Sequence, residues 1–188
     1  MPLVDVIRFV TDLVQDTGLD YVTIGGIAVS AQAEPRSTKD VDLVIVLPAE
    51  QVNNLLSEIE RRGLVISRKS QVREKLMQGR PAKVIWDKRF SFDLRLANYT
   101  IDMQALVRAR PVELKKYGVT LKIASPEDLV VYKLALFDET DRKDIKQIIK
   151  FTPGLDWDYI RLQARILTRE YEKPSILEHL TEAETWEK

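Results

Sequence analysis

The chain has 188 residues, 45% of them apolar and 31% charged, the balance of one compact globular domain, or one domain plus a small helical extension, and far from that of a disordered chain. It has no cysteine, which excludes a disulfide framework, a zinc–thiolate cluster and thiol catalysis. With 29 basic and 29 acidic side chains the formal net charge is zero and names no partner.

Leu3 to about Gln15 places Val4, Ile7, Val10, Leu13 and Val14 at helical spacing, and Gly18 ends that helix. The amphipathic start lacks the basic-then-apolar order of a secretory leader. No apolar run approaches the roughly 18 residues that span a bilayer. The expected setting is the cytoplasm, with no membrane contact. Tyr21–Ile24 reads as a short buried strand ending in Gly25-Gly26, and a small-residue helix over 27–33 follows. Glycine lets the backbone approach a ligand closely, and the free N–H groups at the start of the next helix favour phosphate. Alone, the pair would be an ordinary turn.

Asp40 to Leu47 is a second strand, stopped by Pro48. A helix over 49–62 puts Val52, Leu55, Leu56 and Ile59 on one face and is capped at Gly63. Residues 64–66 read as a further strand. Residues 67–80 are polar, basic and poorly periodic, and read as a mobile loop or frayed helix over the site. Residues 81–86 and 90–96 are two adjacent strands joined by a polar turn at Asp87-Lys88. A helix over 101–109 and a strand over 119–123 come next. Ser125-Pro126-Glu127-Asp128 is a helix start, with Ser at the cap, Pro in the first turn and acids at the positive dipole end. A second helix runs from about Asp141 to Lys150, Pro153-Gly154 breaks the chain, and helices over 157–171 and 175–186 finish it. Strands come first and helices last, so the fold class is α+β: an α/β part over 1–124 followed by a helical part over 125–188.

Charge is uneven along this layout. From Arg61 to Arg95 there are eleven basic residues against Glu74, Asp87 and Asp93, whereas 151–188 is mildly acidic. The basic belt is either a nucleic-acid face or a solvated one.

The chemistry is carried by three acids. Side chains on a strand repeat every two residues, so Asp40 and Asp42 share one side while Val41 and Leu43 point to the other. Neighbouring carboxylates repel, and a divalent cation between them removes the repulsion; hard oxygen ligands suit Mg²⁺ or Mn²⁺. Asp93 lies in the apolar strand Phe92-Asp93-Leu94, where a carboxylate is costly unless paired or metal-bound. If the two strands are neighbours, the three acids converge at one end of the sheet and suit two cations roughly 3.5–4 Å apart, one activating a nucleophile and one holding a triphosphate. Asp40 and Asp42 would share both ions, Asp93 would ligate the ion that activates the acceptor hydroxyl, and Gly25 and Gly26 would cradle the β/γ-phosphates. A calcium or structural metal site is the bland alternative, and it leaves Gly25-Gly26 and Lys133 without a purpose.

Gly25-Gly26, then Arg36-Ser37-Thr38-Lys39-Asp40-Val41-Asp42, then Phe92-Asp93-Leu94 together resemble the nucleotidyltransferase superfamily of the DNA polymerase β type. Downstream, Ser125-Pro126-Glu127-Asp128-Leu129, Lys133-Leu134-Ala135 and Arg142-Lys143-Asp144-Ile145 resemble the small prokaryotic nucleotidyltransferases of the AbiEii-like toxin group, over roughly 21–150. The resemblance implies a mixed sheet flanked by helices with a helical C-terminal part. It implies transfer of a nucleoside monophosphate from an NTP, with two Mg²⁺ ions (or Mn²⁺) and release of pyrophosphate, to a hydroxyl of tRNA or another RNA 3′ end, a protein, or a small molecule. It further implies that Lys133 contacts the nucleotide phosphates, that Asp144 orients Lys133 or the acceptor, that Arg36 and Thr38 brace the loop before the acids, and that a cognate antitoxin is a partner. The residues agree in one respect. Lys133 sits on an otherwise apolar helical face and needs a partner charge, with Glu127, Asp128 and Asp144 in reach.

The competing reading is a binding module, antitoxin-like, that holds nucleotide or a partner without turnover; the presence of all three acids disfavours it. His179 reads as a surface residue. Trp86, Trp157 and Trp186 read as packing residues, and Tyr132 as a core residue that could stack on a base.

Overall fold

A computed structural model describes residues 3–187. Six strands among them, β1 (Asp20–Ile24), β2 (Asp40–Val46), β3 (Ala82–Ile85), β4 (Ser91–Leu96), β5 (Arg110–Leu114) and β6 (Val119–Ile123), form one mixed sheet in the order β3-β4-β2-β1-β6-β5. β1 runs antiparallel to β2, and β2 runs parallel to β4. The outer strands β3 and β5 each pair antiparallel with their neighbour. Parallel pairing of β2 and β4 needs a long crossover, and residues 47–90 supply it with α3 (Val52–Arg61), α4 (Lys69–Met77) and β3. β2 sits inside the sheet, and Val41, Leu43, Val44 and Ile45 are all buried. A central strand covered on both faces is read as a near-continuous aliphatic run, and the two acids at its start interrupt that run.

α1 (Leu3–Thr17) buries Val6, Ile7, Val10, Leu13 and Val14 and touches β2, β4 and β6. α2 (Gly25–Gln32) and α5 (Thr100–Arg108) pack on β1. α6 (Pro126–Leu136) joins them to α7 (Glu139–Phe151) and α8 (Trp157–Glu170), with α9 (Ser175–Glu184) behind. One hydrophobic cluster runs through all of these, from Val6 to Ala183, each fully buried aliphatic side chain stabilising by about 1.5–3 kcal/mol. As the sequence predicts, Ser125 Oγ accepts from Asp128 N and Pro126 occupies the first turn of α6.

One local expectation is decided and two are corrected. Of the loop or frayed helix expected over 67–80 it is the helix that forms, as α4, because Val72 and Leu76, one turn apart, are buried and a single i,i+4 pair anchors a short helix. Residues 64–66 are not a strand; Ile66 is buried, Val65 is exposed, and no strand pairs with them. β5 is an additional strand, although it contains Pro111. Its position at the sheet edge tolerates a residue that cannot donate to the ladder.

Candidate active site

The β2–β4 register sets Asp42 directly opposite Asp93, with Asp40 one pleat earlier opposite Ser91. All three carboxylates therefore share one face at one end of the sheet. Burial first, then repulsion from Asp40 and Asp93, pushes the Asp42 carboxyl up to about 7. Burial also raises Asp93, Asp40 adding to the effect and Lys83 opposing it. Thr38 Oγ1, in the loop before the acid pair, donates to Asp40 Oδ1 at 3.0 Å.

Two observations test the fit to divalent cations. Asp93 Oδ1 is buried without a hydrogen-bond partner among the described residues, and a lone pair of this kind needs a ligand. The donors are hard carboxylate oxygens, the kind Mg²⁺ and Mn²⁺ take. The residues fit the ions. Among the described residues no group of three such ligands forms a ready metal cage. A lysine stands among them instead: Lys83, facing Asp93 from β3, places Nζ 3.5 Å from Asp93 Oδ2 and 3.7 Å from Asp40 Oδ2.

Gly25 has φ +66° and starts α2. A Cβ there would lie 2.0 Å from Asp42 Oδ2, and one on Gly26 would lie 2.8 Å from Thr38 Oγ1. The pair lets the acid-bearing strand and the loop before it close onto the first turn of α2. Ile24 provides no side-chain cap, so the first N–H groups of the helix are left for an anion.

Opposite the acids lies a compensated ionic chain. Arg36 Nε and Nη2 donate to the two oxygens of Asp144 at 2.6 and 2.8 Å. Lys133 Nζ lies 2.6 Å from Asp144 Oδ2 and 3.0 Å from Asp141 Oδ1. Burial pushes the Asp144 carboxyl up, but the hydrogen bonds from Arg36 and Lys133 outweigh it and hold it below the usual range. The structure thus unites Lys133, Asp144 and Arg36, adds Asp141, and assigns Asp128 elsewhere. Asp128 receives Ser125 Oγ at 2.7 Å and Arg108 Nε at 3.3 Å.

Besides Asp141, two groups escaped the sequence reading. One is Lys83. The other is Asp102, fully buried, whose carboxylate accepts from Arg95, from Tyr132 Oη at 2.8 Å, and from the backbone N–H groups of Asn98 and Tyr99 at 3.0 and 3.1 Å. It ties the end of β4, two residues past Asp93, to α6 beside Lys133. The charged pair Arg95/Asp102 in an apolar setting was the available signal.

Gly25, Gly26, Arg36, Thr38, Asp40, Asp42 and Lys133 line a cleft of about 400 Å³, closed on the helical side by Tyr132, Leu136 and Asp141. A larger groove, about 870 Å³, meets it at Arg36 and Thr38 and is lined by Arg8, Lys39, Lys116, Phe90 and Tyr117. Arg8, Lys39 and Lys116 are exposed. The belt over 61–95 is different. Arg61 and Arg62 pair with Glu58, Arg62 also with Asp16, Lys69 with Glu60, and Arg95 is buried on Asp102. Acids from α1, α3 and α5 thus pair with four of the belt's eleven cations.

The remaining aromatic residues pack. Trp86 meets Phe9 edge-on, and Trp157 is buried. His179 is half-buried rather than on the surface, stacked on Phe137 with its Nδ1 2.8 Å from Leu134 O.

A family model described as "Nucleotidyltransferase of unknown function (DUF6036)" matches residues 2–179, and the chain belongs to that family. Among solved structures, the chain resembles the lincomycin-bound lincosamide antibiotic adenylyltransferase LnuA with a TM-score of 0.54 at 14% identity, over 78% of this chain and 96% of that one. It resembles an antigenic nucleotidyltransferase-like protein from Paracoccidioides brasiliensis with a TM-score of 0.52 at 20% identity, over 95% of this chain and 92% of that one. Both are likenesses of fold. No curated protein matches the sequence significantly.

Proposed function

We propose that this nucleotidyltransferase moves a nucleoside monophosphate from an NTP to a terminal hydroxyl of RNA, with release of pyrophosphate. The observation that carries the reading is the register that sets Asp42 against Asp93 beside the Gly25–Gly26 turn. Asp40, Asp42 and Asp93 would hold Mg²⁺ or Mn²⁺, which when bound supplies charge neutralisation on the triphosphate and acidifies the attacking hydroxyl.

The chain's own residues do the positioning. The uncapped first turn of α2 receives phosphate oxygens through its N–H groups. Lys133 is buried and gives two of its three N–H donors to Asp141 and Asp144, which leaves one for a phosphate oxygen in the cleft. Asp144 fixes that lysine and Arg36 together, so the loop before Asp40 and the helix opposite it keep one spacing. Tyr132 and Leu136 offer an apolar wall to the base.

The choice of RNA rests on the groove that meets the cleft at Arg36 and Thr38. Its three exposed cations follow a phosphate backbone, and Phe90 and Tyr117 provide rings on which unpaired bases stack. The AbiEii-like downstream motifs extend the reading to a growth-arresting toxin held in check by a cognate antitoxin.

The test incubates the protein with each α-labelled NTP, Mg²⁺ and total tRNA. Label should appear in RNA and vanish with Asp42→Ala. Label in neither RNA, protein nor a small-molecule acceptor, together with calorimetric binding of NTP, would replace the reading by a binding module. Expression of the active chain should arrest growth, and Asp42→Ala should not.

A further inference from the structure

Lys83 occupies an unusual place for an edge lysine. Edge strands carry lysine to discourage strand addition, a role indifferent to what lies across the sheet. Here the register aims position 83 at Asp93. The ammonium bridges Asp93 Oδ2 and Asp40 Oδ2 at 3.5 and 3.7 Å and forms no ion pair with Asp42 among the described residues. It therefore touches Asp93, which would serve the acceptor-side cation alone, and one oxygen of Asp40, which would serve both ions, and leaves Asp42 to the nucleotide-side cation. β3 is a terminal strand of the sheet, and the Lys83 side chain is 49% exposed. The ammonium can swing into water without uncovering core. A cation and an ammonium cannot share oxygens a few ångströms apart without strong repulsion.

We propose that Lys83 is a resident counter-ion that competes with the acceptor-side divalent cation for Asp40 and Asp93, so that the two ions load in order: the nucleotide-side ion first, and the acceptor-side ion only as Lys83 withdraws. The inference rests on the metal-dependent reading above. It makes the activated nucleophile conditional, because the ion that acidifies the acceptor hydroxyl is the one Lys83 opposes.

The experiment titrates Mn²⁺ into the full chain, followed by electron paramagnetic resonance, with each α,β-methylene NTP analogue in turn, so that no turnover enters the readout. The wild-type protein should bind one Mn²⁺ tightly and a second at least about tenfold more weakly. Lys83→Met, which keeps the stem and removes the charge, should tighten the second site by about 10–100-fold, and Lys83→Arg should behave as wild type. Two equal sites in the wild-type protein, or an unchanged second site in Lys83→Met, overturns the proposal and leaves the metal-dependent reading standing. No Mn²⁺ bound by any of the three proteins overturns both. Circular dichroism of the variants, altered only at an exposed side chain, establishes that each is folded.

Discussion

Two charged clusters face each other across the Gly25–Gly26 turn, and they are built on opposite plans. Asp40, Asp42 and Asp93 bring three carboxylates together, two of which, Asp40 and Asp93, lie 3.5–3.7 Å from one lysine. Arg36, Asp144, Lys133 and Asp141 alternate in sign and meet at 2.6–3.0 Å. The first cluster is held together by the sheet against its own repulsion, with a single lysine as partial counter-charge. The second is complete in itself and fixes one lysine in place. An uncompensated set marks where chemistry enters; a compensated set marks what holds still.

Substitutions separate the two plans. The largest effect should come from the first: Asp42→Asn or Asp93→Asn should abolish transfer in the labelling assay, while the fold survives. Next comes Asp144→Asn, which strands Lys133 and Arg36 without their shared partner. Breaking a buried pair on one side costs about 3–5 kcal/mol, with the low end expected here because Arg36 is a third exposed. Chemical denaturation should show that loss, and turnover should fall with it. A destabilised Asp42→Asn protein and an unaffected Asp144→Asn protein would reverse the comparison.

Acidity gives a third contrast. The Asp42 carboxyl sits at about 7 in the folded chain against about 3.9 in the unfolded one. The folded chain therefore holds the proton more tightly, and stability in EDTA should fall as pH rises from about 4 to about 7 and level off above. Asp42→Asn should lose that slope and melt above wild type at pH 8. Added Mg²⁺ should expel the proton, so metal affinity should fall on acidification below about 7. Asp144, held low by Arg36 and Lys133, has the opposite sign: its contribution is lost only as pH drops through its depressed value.

The smallest effects belong to the surface. Lys39→Glu with Lys116→Glu should weaken RNA labelling and flatten its salt dependence by roughly 0.7 in log–log slope per lost contact. Arg61→Ala, whose partner is Glu58 on the same helix, should change stability by less than about 1 kcal/mol and leave RNA labelling unaltered.

Much of the candidate site was legible because its residues violate local rules: two acids opening an aliphatic strand, a third acid inside another, glycines where a helix begins, a lysine on an apolar helix face. What stayed hidden follows rules too weak to see. Lys83 alternates with the buried Ala82 and Val84 as any solvated edge residue does, and only the register reveals that it meets Asp93. α4 shows just Val72 and Leu76 to the core, too few for a periodic signal. β5 is disguised by Pro111 and its charges, since an edge strand needs only half its ladder. Part of the basic belt is paired in a way its own segment does not show, because Asp16, Glu58, Glu60 and Asp102 lie outside it in sequence and beside it in space.

The parallel alignment of β2 with β4 has a consequence for how such chains can vary. Residues 47–90 form a crossover that brings the chain back heading the same way, so loops within it, around Gly63 or Lys88, can lengthen or shorten while Asp42 and Asp93 stay abreast. Adding or deleting one residue between Ser91 and Asp93 would instead rotate the strand by half a pleat, aim a neighbouring apolar side chain at the cleft and drive the carboxylate inward. The crossover can drift in length; the three positions before Leu94 cannot.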